Sequence, residues 1–170
     1  MKQFFSTTRQ ILVGLTLGLV LATSANAQAF SDYMENKLID HVFRAQTTPA
    51  VATMHVALFT AATGCDAGTV TEVTGGNYAR QAVTSSLANW AGTQSAGSTT
   101  ASTGTGGVTS NNGAISFGTV TWTATVTHWG LYDASTAGNL LFCAALTASQ
   151  GVSSGNTVQF AAAALTVTLQ

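Results

Sequence analysis

The chain has 170 residues, with five Lys or Arg, six Asp or Glu and a formal charge of −1. So few cations form no basic patch, which excludes nucleic acid as a partner. The two cysteines, Cys65 and Cys143, lie outside any CxxC or metal-ligand spacing, which excludes a thiolate metal centre.

Residues 1–27 have the layout of a secretory leader. Lys2 and Arg9 supply a positive start, residues 11–22 (ILVGLTLGLVLA) an apolar run, and Ala25-Asn26-Ala27 the small residues of a cleavage site. Twelve apolar residues are short against the roughly 20 needed to span a bilayer, and no later stretch qualifies. The expected product is an exported chain starting at Gln28, with no membrane attachment after cleavage. Its 143 residues suffice for one domain, with Lys37, Arg44 and Arg80 against Asp32, Glu35, Asp40, Asp66, Glu72 and Asp133, a net charge of −3. From residue 81 onward Asp133 is the only charged residue. Isolated soluble domains use interspersed charge to stay apart. This surface suits an assembly or an extracellular setting. In an exported protein, Cys65 and Cys143 read as one disulfide; in a cytoplasmic one, two buried thiols are equally ordinary.

The first predicted element is a helix over residues 31–44. Ser31 or Asp32 can cap it, and Asp32 and Glu35 place acids in its first turn, where the helix dipole favours them. Met34, Leu38 and Val42 follow at i+4 spacing, with Ile39 and Phe43 widening the stripe. This makes the helix either a tether between copies or a cover for its own domain. Pro49 sits in the connector, and the period then changes to two. Residues 51–60 place Ala52, Met54, Val56 and Leu58 on one face. Residues 80–87, 114–117, 120–132, 140–147 and 158–169 are further strand candidates, separated by Gly-Asn turns. The fold class is mainly β: an antiparallel β-sandwich, jelly-roll or Ig-like, preceded by one N-terminal amphipathic helix. Residues 92–113 are uncharged and of low complexity, and read as a long mobile loop. Trp90 borders that loop as a candidate surface contact.

Few residues are available for chemistry. Gly151-Val152-Ser153-Ser154-Gly155 matches G-x-S-x-G, but no Asp, Glu or His follows it to complete a triad, and its surroundings read as a hairpin. His41, His55 and His128 are scattered and read as hydrogen-bonding residues rather than a shared metal site. A carboxylate pair would need two of the six acids to converge. Trp90, Trp122, Trp129, Tyr78 and Tyr132 could stack on sugars, but strand aromatics are more often core. No catalytic residue, metal or cofactor is assigned.

Two strings carry a resemblance. Residues 30–41 (FSDYMENKLIDH) are similar to the "FSDYxENKLLDH" opening of a family of small phage structural proteins, the tail-fibre proteins. Residues 126–134 (VTHWGLYDA) with Gly138-Asn139-Leu140-Leu141 are similar to its "VTHWGLYDA…GGNLL" segment. Thr71-Glu72-Val73, Tyr78-Ala79-Arg80 and Thr109-Ser110-Asn111 fall between them in the family's order, so the likeness spans about residues 30–169. It implies a virion structural role, a helix followed by a β-sandwich, and no catalysis. Two departures stand out: the family lacks a leader, and its proline after an "ITF" string is Gly118 here. The function expected is that of a tail-fibre-like subunit that contacts itself, or other tail or filament subunits, exported to the periplasm or the cell exterior, with the virion as the alternative location. The alternative is a secreted β-sandwich that polymerises into a filament or binds cell-surface glycans.

Overall fold

The computed structural model describes residues 29–169 in full and Gly18–Val20 as backbone. The remainder of the candidate leader lies outside the described residues. The chain runs through β1 (Gly18–Val20), β2 (Ala29–Phe30), α1 (Asp32–Phe43), β3 (Thr53–Gly64), β4 (Thr69–Glu72), β5 (Gln81–Thr84), β6 (Val108–Ser110), β7 (Ile115–Thr119), β8 (Ala124–Tyr132), β9 (Leu140–Val152), β10 (Thr157–Phe160) and β11 (Thr166–Thr168). One sheet orders as β2-β9-β8-β3-β4, with β5 also on β3; β1-β10-β7 and β11-β6 form two smaller sheets. Each described pairing is antiparallel except that of β1 with β10. The class is mainly β, antiparallel and curled as a half-barrel; the jelly-roll or Ig-like subtype is not defined by these pairings.

The helix is not N-terminal, as the sequence reading had it. Ala29 and Phe30 first add to the edge of β9, opposite Cys143 and Phe142, and only then does α1 begin. Apolar residues beside an open strand edge gain both backbone pairing and burial, and the Phe30 ring meets Phe142 edge-on at 5.9 Å.

The middle of β3 departs from a simple two-face pattern. Val56, Ala57, Leu58 and Phe59 are all fully buried. Val56 and Leu58 face the main core with Trp129, Phe142, Phe160 and Leu165. Ala57 and Phe59 face a second, smaller core with Tyr132, Leu140 and Cys143, closed by Ala62, Cys65 and Val70 from the curled β3–β4 hairpin. Cys65 and Cys143 are joined as a disulfide there, with Cα atoms 5.2 Å apart. Gly130 on β8 makes room for this packing: a Cβ would lie 2.7 Å from the Phe59 ring and 2.8 Å from the Phe142 carbonyl oxygen.

Two predicted strands are each broken. Residues 120–123 leave the ladder between β7 and β8, burying Val120 and Trp122. Residues 161–165 turn between β10 and β11, where Ala163 has a φ of 59°. The buried Asn111 side chain stands in for a strand there. It donates to the Ala161 and Gly113 carbonyls and accepts from the Leu165 amide, at 2.7–2.8 Å. Two short strands, β4 and β6, were not read from sequence. β6 falls inside residues 92–113, where the Gln94 side chain also gathers Ser98, Thr100, Ala101 and Thr103 by hydrogen bonds. Gly118 pairs with Val158 beside a register shift between β7 and β10, at a φ of 70°. Proline cannot adopt that angle, so the chain's departure from the family's proline matches its local backbone.

Candidate functional site

The helix α1 buries none of its residues. Its N-terminal end is fixed: Ser31 is buried, its amide donates to the Leu141 carbonyl at 3.1 Å, and its hydroxyl donates to the Leu140 carbonyl. The same hydroxyl accepts from the Met34 amide as the helix cap, and the Asp32 amide donates to Asp66 at 2.9 Å. Farther along, the helix stands away from the sheet. Met34 packs on the main core, whereas Leu38 is 45 % exposed, Ile39 50 %, Val42 58 % and Phe43 81 %. A helix anchored at one end with apolar exposure rising toward the other is an unsatisfied surface, because burying these side chains is worth about 1.5–3 kcal/mol each. Four of the domain's nine charged residues sit on the same helix, and a fifth, Arg44, caps its C-terminal end and pairs with Asp40 at 2.8 Å.

A second constellation escaped the sequence reading. The Arg80 guanidinium, with its side chain only 8 % exposed, makes a two-pronged pair with Glu72 at 2.8 and 2.9 Å. It also donates to the Ala134 and Ala137 carbonyls and lies 3.4 Å from the centre of the Tyr132 ring. Tyr78 completes the group. Its hydroxyl donates to Glu72 and accepts from the Leu58 amide at 3.0 Å. Burial pushes this phenol far above its ordinary range, with the Leu58 amide opposing the shift and Glu72 adding to it. The strings around Glu72, Tyr78, Arg80 and Asp133 therefore meet at one structural joint. Their order along the chain was legible; their meeting was not, because they come from three separated segments.

The other candidate residues are dispersed. His41 contacts the Gln46 carbonyl on the helix side, His55 pairs opposite Tyr132, and His128 opposite Phe59. Burial holds the His128 imidazole below its ordinary value. Gly151 and Val152 end β9 and residues 153–156 form the turn into β10, with the Asn156 side chain accepting from the Ser153 amide; this is a hairpin, not a strand-to-helix elbow. Trp122 and Trp129 are core, while Trp90 is half-buried against the core and bridges to Asn111. Three acids do converge: Asp32, Glu35 and Asp66 bring their carboxylates within 4.8 Å of one another, all exposed. Among the described residues no helix is long and apolar enough to cross a membrane.

These features describe a structural module, a β domain with a partly undocked amphipathic helix. The family model described as podophage GP4 fiber I protein gp80 matches residues 29–168, and the chain belongs to that family of phage fibre proteins. Membership associates it with virion fibres. No curated protein matches the chain.

Proposed function

We propose that the protein is a non-enzymatic fibre subunit that works by self-association, with the exposed apolar face of α1 as its principal contact. That face is the observation that carries the reading. The rest of the surface supports it, since past Arg80 the lone charge, Asp133, is itself engaged by the Asn139 amide and side chain at 2.7 and 2.8 Å. Little charge repulsion opposes contact between copies. Export through residues 1–27 belongs to the same reading: the family match begins at residue 29, just after the cleavage site expected at Ala27. The Cys65–Cys143 bridge suits an oxidising compartment.

Leu38→Asp with Val42→Asp tests the contact. Both positions are exposed, so the variant stays folded by circular dichroism, and light scattering shows a molar mass below that of the wild-type assembly. A folded variant of undiminished mass would refute the role of α1. An unfolded variant would place the stripe inside the domain, where two unpaired carboxylates could not be buried.

A further inference from the structure

The Cys65–Cys143 bridge stands directly behind the anchor of α1. Cys143 pairs opposite Ala29, in the two-residue strand that leads into the helix. Cys65 immediately precedes Asp66, whose carbonyl accepts the Asp32 amide at 2.9 Å. The first turn of α1 therefore hangs from two supports. The strand β9 supplies the Leu140 and Leu141 carbonyls that Ser31 uses, and the β3–β4 turn supplies Asp66. The bridge ties the second support to the first. Of residues 65–69 only Cys65 is sheltered; Asp66, Ala67, Gly68 and Thr69 are exposed, and the β3–β4 ladder shifts register twice. A segment with so little burial and so irregular a ladder opens easily. The helix in turn depends on its anchor. It has 12 residues, none of them buried, and a helix of that length is marginal by itself in water.

We infer that the bridge is a redox switch on α1: the oxidised chain holds the helix and its apolar stripe in order, and the reduced chain lets them fray. On oxidation the two thiols give up two protons and two electrons as the sulfur–sulfur bond forms, and a disulfide acceptor takes them up and becomes a dithiol. Residues 65 and 66 are thereby fastened to β9, with the Asp32 amide held against Asp66. With both cysteines as thiols the turn moves off β9 and α1 loses that bond. Leu38, Ile39, Val42 and Phe43 then no longer share one fixed face. Association must order the helix as well as bury it, and the lost entropy opposes contact. Self-association thus follows the redox state of the surroundings. This regulation rests on the self-association reading above.

The test compares purified protein oxidised with oxidised glutathione and reduced with dithiothreitol, its thiol state checked by alkylation and intact mass. Amide hydrogen exchange reads the anchor, and light scattering reads assembly. Loss of one hydrogen bond at the anchor should speed exchange over residues 32–44 roughly fivefold on reduction, while β8 and β9 keep their protection. The scattering mass should fall on reduction and return on reoxidation, and Cys65→Ala with Cys143→Ala should match the reduced protein in both readouts. Exchange in α1 that ignores the thiol state overturns the proposal. So does a speed-up spread evenly over β8 and β9, which would make the bridge a general brace. Thiols that stay unpaired in oxidised glutathione overturn it as well. If oxidised and reduced protein assemble alike while Leu38→Asp with Val42→Asp abolishes assembly, the α1 contact stands and its redox control falls. If α1 loosens on reduction but the oxidised protein is already monomeric, the switch stands and the self-association reading falls.

Discussion

Arg80 shows how much one side chain can decide in a chain with so few charges. Its two-pronged pairing with Glu72, two carbonyl acceptors and the Tyr132 face all depend on the planar guanidinium. Arg80→Ala leaves Glu72, 23 % exposed in its side chain, with the Tyr78 hydroxyl but without its charged partner. Removing one member of such a pair costs about 3–5 kcal/mol. Urea denaturation should show a midpoint lowered accordingly, with the slope unchanged. Arg80→Lys should restore only part of the loss, since an ammonium cannot make the forked contact; full recovery would show that charge alone matters here. The sequence exposed both residues as members of separate strings, but gave no sign that one would neutralise the other.

Among the elements, α1 and the β3–β4 hairpin illustrate opposite relations between pattern and packing. The helix forms where capping and i+4 spacing predict it, yet its apolar stripe is largely uncovered. Periodicity identifies an apolar face, and cannot identify what that face touches. The hairpin curls so that the far face of β3 is buried too, and the disulfide fixes that curl to β9 across 78 residues of sequence. Replacing both cysteines by alanine should destabilise the domain by on the order of 2–5 kcal/mol, partly through the lost constraint on the unfolded chain. Thermal unfolding of oxidised and variant proteins measures this. Equal stability, or two freely alkylated thiols in periplasmic protein, would remove the bridge from the account.

For the molecule as a whole, scarcity of titratable groups makes the pH response simple to read. The folded-state pKa of His128 is depressed by burial, so the unfolded chain takes up its proton first as pH falls. The stability linked to this group is present above the unfolded value of about 6.5 and is lost as pH drops through it toward the folded value. The melting temperature should therefore decline on acidification from pH 7 to 5, and less steeply in His128→Gln; parallel curves would assign the decline to other groups. By itself the sequence determined the β class, the capped amphipathic helix and the charge-poor surface. Each of these follows from local propensity, side-chain period or composition, all written in neighbouring residues. Only the tertiary structure decided that β3 is buried on both faces, that Asn111 replaces a strand at the 161–165 turn and that Arg80 reaches Glu72. It also decided that α1 stands partly free. Those outcomes depend on how distant segments curl over one another, and no local pattern encodes the geometry of that meeting.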